Sequence, residues 1–170
     1  MWFGNEHQPD DQNPVICTAQ VLLASNELER LDSNLAERAA RWLMATQHAG
    51  GGWGPPRTPV DYSGSEKDGG RRTNEEMEKF CTIEETALAV SALLPLTRSN
   101  PAISSAVSRG LTWLIQAVEQ DGHRHPAIIG FSLSRIWYHE RLYPLVFASA
   151  AFSGAVHGKV LKTPAVSHVG

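Results

Sequence analysis

The chain of 170 residues is long enough for one ordinary domain, and its 42% apolar and 19% charged residues predict a folded protein. A net charge of -3 gives no electrostatic reason to expect binding to nucleic acid or to an anionic membrane surface. No secretory signal pattern begins the chain, and the longest apolar run, residues 142–156, is about five residues short of a bilayer span.

Six segments show helical patterns, and no window alternates as a half-buried strand would. In chain order they are residues 15–28, 34–47, 83–94, 104–118, 133–141 and 144–156. Residues 55–79 are polar and rich in Gly and Pro, which predicts a long loop between the second and third helices. The segments therefore predict an all-α fold without strands.

The patterns of the central segments also predict their ends and their buried faces. Ser33 or Asn34 can cap the second helix, Thr82 can cap the third, and Pro95 ends the third. The apolar face of the second helix consists of Leu35, Ala39, Trp42 and Leu43. That of the fourth consists of Val107, Leu111, Leu114 and Ile115.

The arrangement of helices repeats along the chain. Thr-Ala pairs begin helices at Thr18 and Thr86, which lie 68 residues apart. A Trp-Leu pair precedes a glycine by nine residues twice, at Gly51 and at Gly122, which lie 71 residues apart. Repeats of this length indicate stacked helix pairs, each of which buries one face on its neighbour. Two and a half such units leave apolar end faces that a partner would have to cover.

The second helix is followed by the pattern Gln-x-x-x-Gly-x-Trp, formed by Gln47, Gly51 and Trp53. A glutamine at a helix end can bond exposed carbonyl groups, a glycine permits the positive φ of a turn, and an indole can cover that turn. Placed after an amphipathic helix and before a Thr-Ala helix, the pattern resembles the QW repeat of triterpene cyclases, and we expect these three residues to form a structural QW motif.

Three further stretches resemble the squalene–hopene cyclase family in order and approximate spacing. They run from Trp-Phe-Gly at Trp2 to Thr18, from Gly-Gly-Trp-Gly at Gly51 to Thr86, and from Gly-Phe at Gly130 to Tyr-Pro at Tyr143. Together with the QW pattern they cover the chain from residue 2 to about residue 155. The resemblance is to the C-terminal region of the family.

The chain also departs from the family pattern. In the second copy of the QW pattern, Val118 stands in place of Gln and Arg124 in place of Trp. The family's Glu-Asp after Gly-Trp-Gly is replaced by Pro55 and Pro56, and a family tyrosine before the first Thr-Ala helix is replaced by Pro14. These differences indicate a divergent branch or relaxed constraint.

The resemblance implies an incomplete α/α barrel of about five or six helices and a role in cationic polycyclisation of a linear triterpene. In the family an Asp-x-Asp-Asp acid protonates the substrate, and the motif precedes the segment with which this chain begins. No Asp-x-Asp-Asp occurs among the 170 residues. Asp10 and Asp11 are interpreted as solvated loop residues, and Glu84 and Glu85 as first-turn helix charges. We therefore expect no catalytic residue here, and an isolated chain without isomerase activity.

The family's aromatic cavity wall has candidate counterparts here. The predicted substrate-binding residues are Trp53, Phe131, Trp137 and Tyr138. For Trp53, a purely structural packing role is an equally good interpretation. Trp137 could stand at the family position that is assigned here to Tyr138. Trp2 and Phe3 could also line the cavity, whereas Trp42 and Trp113 are expected in the core.

No cofactor and no metal are expected. His123 and His125 form the one close histidine pair, and no third ligand stands near them in sequence. Cys17 and Cys81 are far apart and outside any Cys-x-x-Cys pattern, so reduced thiols are favoured over a disulfide.

The domain prediction is a partial cyclase domain over residues 1–157 and a disordered tail over residues 158–170. The expected partners are squalene or a similar polyprene in the parent enzyme, and either a missing N-terminal half or a second copy. The alternative function is a non-catalytic helical-repeat interaction module. The expected location is the cytoplasm, with attachment to one membrane leaflet left open.

Overall fold

Five α-helices and one β-hairpin form the part of the chain that the computed structural model describes, namely residues 14–54, 81–125, 127–131 and 136–158. Of residues 127–131 and 136–139 only the backbone is described. The predicted loop over residues 55–79 and the predicted tail after residue 158 lie outside these ranges.

Helices α1, Pro14–Glu27, and α2, Asn34–Thr46, form the first helix pair and pack against each other. Ser33 caps α2, because its hydroxyl accepts a hydrogen bond from the amide of Ala36. The helix is amphipathic as predicted, but its buried face is rotated about the helix axis relative to the predicted one. The buried residues of α2 are Ala36, Ala39, Ala40 and Leu43. Leu35 is 59% exposed, so its predicted burial is wrong.

Helix α3, Ile83–Leu93, lies at the centre of the described fold and packs against three other helices. It begins at its predicted cap, Thr82, and a 3-10 turn over Leu94–Leu96 ends it at the predicted proline. Nine of its eleven residues are buried because helices cover it on several sides. This central position is consistent with the three Ala residues in its sequence, because small side chains let neighbouring helices approach closely.

Helix α4, Pro101–Glu119, begins three residues earlier than the pattern predicts. The side chain of Asn100 accepts hydrogen bonds from the amides of Ala102 and Ile103, and a proline is favoured at the first helical position that follows. The helix packs on α3. Its predicted apolar positions are buried except for Ile115, which is 37% exposed.

The prediction of a helix over residues 133–141, and of a fold without strands, is wrong. Strand β1, Ala127–Phe131, pairs antiparallel with β2, Ile136–Glu140. Strand β2 begins with Ile136, Trp137 and Tyr138, and β-branched and aromatic residues favour strands. A short apolar run of this kind does not distinguish helix from strand by its period.

Helix α5, Leu142–His157, follows the hairpin and packs against α3. It confirms the predicted last helix, with two more residues at its start and one more at its end. Among the described helices, none is both long enough and apolar enough to cross a membrane. The fold is all-α in class apart from the hairpin, and is consistent with part of an α/α barrel.

Candidate functional site

The turn after α2 reverses the chain within a few residues. The amide of His48 donates to the carbonyl of Gly52 at 3.0 Å, and the amide of Gly51 donates to the carbonyl of His48 at 2.9 Å. Gly51 has a φ of +99°, and a Cβ atom there would lie 2.6 Å from the carbonyl oxygen of Arg109 in α4. Both its conformation and the close approach of α4 therefore require glycine.

Gln47 ties this turn to α4. Its Nε2 donates to the carbonyl oxygens of Gly51 and Ala106, each at 2.8 Å. The guanidinium of Arg109 donates to its Oε1, and also donates to the hydroxyl of Ser105 at 3.1 Å. The amide of Gln47 thus bonds its own turn and the neighbouring helix.

Trp53 lies in the interior with 0% of its surface exposed. Its indole Nε1 donates to the carbonyl of Leu43 at 2.7 Å. Its amide donates to the hydroxyl of Thr86 at 2.9 Å, that hydroxyl donates to the Trp53 carbonyl at 3.2 Å, and the amide of Thr82 donates to the same carbonyl at 3.0 Å. Trp53 therefore joins α2 to the beginning of α3 through both its side chain and its backbone.

The indole of Trp53 also accounts for a glycine inside α4. A Cβ atom at Gly110 would lie 2.7 Å from Cζ3 of Trp53 and 2.7 Å from Cγ2 of Val90. Gly110 weakens a helix by about 1 kcal/mol relative to alanine, and close packing of the ring supplies the compensating contact. A glycine in the middle of an amphipathic helix was the sequence signal for this contact, although the sequence did not identify its partner.

The start of α3 holds an enclosed carboxyl group. The hydroxyl of Thr82 donates to Oε2 of Glu85 at 3.0 Å and accepts from the Glu85 amide at 3.1 Å. In a capping box the carboxylate usually accepts the cap residue's own amide proton, but that amide already donates to Trp53. Oε1 of Glu85 is buried without a hydrogen-bond partner in the described structure.

Burial raises the pKa of Glu85 to about 8; the hydrogen bond from Thr82 opposes this shift and the nearby Glu84 adds to it. Burial also raises the pKa of Glu84. Glu85 is only 3% exposed and holds its proton at neutral pH. Glu85 does lie in the first turn of α3, as interpreted, but the tertiary fold encloses a position that the helix pattern alone would expose.

The predicted cavity aromatics other than Trp53 belong to the hairpin. In the register of the two strands, Phe131 pairs with Ile136, Trp137 with Gly130, and Tyr138 with Ile129. The hairpin thus brings the three aromatic residues into one short element, and their assignment to a substrate cavity stays a prediction. Trp2, Phe3, Asp10 and Asp11 lie outside the described residues.

The metal and disulfide expectations concern the remaining His, Cys, Asp and Glu residues. Within the described ranges no group of three or more His, Cys, Asp or Glu residues is placed to hold a metal ion. No disulfide joins Cys17 and Cys81, which are both half-buried.

A surface cavity of about 370 Å³ lies between the end of α3 and α5, where Ser91, Arg98 and Gly154 are among the residues that line it. Trp53, the predicted aromatic residue whose side chain the structure describes, does not line this cavity.

Two contributors to the site were not singled out from the sequence. Arg109 carries no pattern that marks it as a partner of Gln47, because they lie 62 residues apart. Thr86 belongs to the repeated Thr-Ala pair, and that repetition was the signal for its hydroxyl bonds to Trp53.

Comparison with known proteins agrees with this geometry. A family model described as the squalene-hopene cyclase C-terminal domain matches residues 1–156. A squalene–hopene cyclase of Zymomonas mobilis subsp. mobilis is 31% identical over 124 residues, which are 71% of this chain and 16% of that protein. No solved structure shows significant similarity to the chain. The match over residues 1–156 shows that the chain belongs to the squalene–hopene cyclase family, as part of its C-terminal domain.

Proposed function

We propose that the chain contributes part of the aromatic cavity of a squalene–hopene-type triterpene cyclase, and that it does not supply the acid. The observation that carries this proposal is the family match over residues 1–156, which includes the tethered Gln47–Trp53 turn. The proposed substrate is squalene or a similar linear polyprene. The parent reaction is an intramolecular isomerisation that consumes no cofactor.

Phe131, Trp137 and Tyr138 are the proposed wall residues, and Trp53, with 0% of its surface exposed, is proposed to act through packing. An aromatic ring attracts a carbocation through its quadrupole, by about 0.5 to 2 kcal/mol for each contact in a dry cavity. Trp53 bonds the Leu43 carbonyl of α2 and the Thr86 hydroxyl of α3 and packs on Gly110 of α4, so its proposed part is to hold these three helices together.

The proton that begins the reaction has to come from elsewhere in this proposal. A carboxylic acid transfers its proton to a terminal alkene carbon, which leaves a carboxylate and a tertiary cation. The chain contains no Asp-x-Asp-Asp. Glu85 is protonated at neutral pH, but it is 3% exposed and bonded to the cap of its own helix, so a substrate carbon could not reach it.

The proposal is tested by incubating the purified chain with squalene, alone and with a separately expressed cyclase portion that carries the Asp-x-Asp-Asp motif. We expect cyclised product by gas chromatography and mass spectrometry only in the mixture. A matched mixture, in which the acidic aspartates of the partner are replaced by asparagine, should give none. Turnover by the isolated chain would contradict the proposal that it lacks the acid.

The second candidate function is a non-catalytic helical-repeat interaction module. The exposed apolar residues of α5, such as Leu142 and Val146, favour it because they offer a surface for a partner. Failure of every acid-bearing cyclase portion to restore turnover, together with binding of a helical partner, would support this alternative. We also propose a cytoplasmic location, or one at the surface of a single membrane leaflet, which cell fractionation would distinguish.

A further inference from the structure

The surface cavity of about 370 Å³ is formed by the end of α3, the connection to α4 and the second half of α5. Its volume lies at the lower end of the range for small-molecule sites, which is about 300 to 1,000 Å³. The cavity therefore suits a ligand of few atoms, and its lining determines which chemistry that ligand needs.

Arg98 is the charged residue among the described residues that line the cavity. No Asp or Glu occurs between Glu85 and Glu119, or after Glu140, so the sequence around the cavity provides no carboxylate. Within the described ranges, the guanidinium of Arg98 forms no ion pair and no hydrogen bond. A positive charge at the rim of a cavity, without an acidic neighbour, favours an anionic ligand.

Ser91 supplies a second polar group to the cavity. Serine and threonine hydroxyl groups in helices often bond the carbonyl four residues earlier, as those of Ser25, Thr46 and Thr112 do here at 2.8 to 3.0 Å. The hydroxyl of Ser91 forms no such bond to a described residue, although the residue is half-buried. Its proton is therefore available to an acceptor on a bound molecule.

The rest of the lining is mostly apolar and is widened by a glycine in α5. Leu94, Pro95 and Ala150 provide the apolar wall. Glycine weakens a helix relative to alanine, and a Cβ atom at Gly154 would lie 3.1 Å from Cδ1 of Leu94. The cavity thus combines apolar surface with one cation and one free hydroxyl donor.

We propose that this cavity binds a small monocarboxylate with a short hydrocarbon body. The guanidinium of Arg98 donates to the carboxylate oxygens, a geometry in which two parallel hydrogen bonds can form. The hydroxyl of Ser91 adds a further donor, and the hydrocarbon body packs on Leu94 and Pro95.

The surroundings favour a single negative charge over a phosphate dianion. Helices α3 and α5 both end beside this cavity, and helix C-termini carry partial negative charge. Phosphate sites usually offer a helix N-terminus or a cluster of arginines. The described lining has one arginine and no helix N-terminus, so a carboxylate fits it better.

An NMR titration of the isotope-labelled full chain with hexanoate tests the proposal. We expect saturable shifts of backbone amides in residues 91–98 and 150–158, with a dissociation constant on the order of 1 mM for so small a ligand. Hexanamide has the same shape without the charge, and should bind about fivefold more weakly. Equal binding of hexanamide or of methyl phosphate, or no saturable shift at these residues, would overturn the proposal.

Two pairs of variants locate the site. Arg98→Gln should raise the dissociation constant for hexanoate about fivefold, whereas Arg38→Gln, at an exposed arginine of α2 outside the lining, should leave it unchanged. Ala150→Leu should fill the cavity and abolish binding, whereas Ser149→Leu, at the neighbouring position outside the lining, should not. Both positions on α5 are exposed, so both variants should keep the far-UV circular dichroism of the original chain.

The alternative role of Arg98 is to stabilise the negatively polarised end of a helix. In that case Arg98→Gln would lower the free energy of unfolding and leave hexanoate binding unchanged, and the proposal would be wrong. Binding is measured without turnover, so the test does not depend on the proposed cyclase role. Restored turnover without hexanoate binding contradicts this proposal alone, and hexanoate binding without turnover in any mixture contradicts the cyclase proposal alone.

Discussion

The two copies of the QW pattern take different structures, although both follow a helix and both retain the glycine. In the first turn Gln47 bonds α4, and Trp53 is buried with its indole bonded. In the second turn Val118 is only partly buried, and Arg124 is exposed and forms an ion pair with Asp121 at its own turn. The first turn joins helices, whereas the second ends one.

The glycines of the two turns, Gly51 and Gly122, differ in which part of the chain lies next to them. A Cβ atom at Gly51 would overlap the backbone of α4, 2.6 Å from the carbonyl oxygen of Arg109. A Cβ atom at Gly122 would lie 2.8 Å from the carbonyl oxygen of Ala117, in the helix that precedes the same turn. The positive φ of the second turn occurs instead at Asp121, at 62°. Among the described residues, the second turn shows no side-chain hydrogen bonds to another helix like those of Gln47 and Trp53 in the first.

The largest difference is expected between Trp53→Ala and Arg124→Ala, which alter equivalent positions of the two turns. Trp53→Ala should lower the free energy of unfolding by about 4 kcal/mol, because it leaves a large cavity and removes a buried hydrogen bond. Arg124→Ala should change it by less than about 0.5 kcal/mol, because its ion pair is exposed. Urea unfolding followed by far-UV circular dichroism measures both. Equal losses would contradict the comparison.

The start of α3, which Trp53 contacts, should make the free energy of unfolding depend on pH through Glu85. Its pKa is about 8 in the folded chain against 4.5 without the fold, so the folded state binds more protons between these values. Stability should therefore decrease as pH rises, by up to about 1.4 kcal/mol per pH unit, and the decrease should level off above about pH 8.

Glu85→Gln is the control for this pH dependence, because an amide keeps the shape of the carboxyl group without its ionisation. Glu84, whose pKa burial also raises, is present in both proteins. Urea unfolding from pH 5 to pH 9 should show the original chain losing stability relative to Glu85→Gln as the pH rises. Parallel curves would show that Glu85 is already ionised in the folded chain at pH 5.

A smaller difference is expected between Gly51→Ala and Gly122→Ala. Gly51→Ala should cost about 2 to 3 kcal/mol, because alanine disfavours a positive φ and its methyl group would overlap α4. Gly122→Ala should cost about 1 kcal/mol, because Gly122 is not in the left-handed region and the end of α4 can adjust. Thermal unfolding of both variants tests this order, and a larger cost at Gly122 would reverse it.

The sequence predicted the helices better than the contacts between them. Helix α2 was identified because its apolar residues follow the helical period, and the caps Ser33 and Thr82 marked true starts. The hairpin was missed because the run that becomes β2 is too short for its period to separate strand from helix. Helix α5 was found although it is apolar on several sides, since its length and the absence of breakers after Pro144 favour a helix.

The candidate site was predictable only where one turn contains the whole interaction. Gln47, Gly51 and Trp53 stand within seven residues, and the bonds within this turn connect positions that are close in sequence. The enclosure of Glu85 depends on helices distant in sequence, so the local pattern indicated only a charge in the first turn of a helix. The same holds for Arg109, whose contact with Gln47 spans 62 positions of the chain.

The smallest effects concern Gln47 and its counterpart Val118. Gln47→Leu should cost about 1 to 2 kcal/mol, because the carbonyl groups of Gly51 and Ala106 lose their donor. Val118→Gln should not stabilise the chain, because restoring the motif residue supplies no acceptor on a following helix. Chemical unfolding of the two single variants measures both effects. A stabilised Val118→Gln variant would show that the second turn retains an unused acceptor.

A double-mutant cycle with Arg109→Ala separates the two functions of the Gln47 amide. Its Oε1 accepts from an exposed guanidinium, so that contact should contribute no more than about 1 kcal/mol of coupling. Most of the loss in Gln47→Leu should then persist in the Arg109→Ala background. If the loss disappears there, Arg109 would be holding the glutamine in place, and the departure from the family pattern in the second turn would reflect the absence of such a cation as well as of the glutamine.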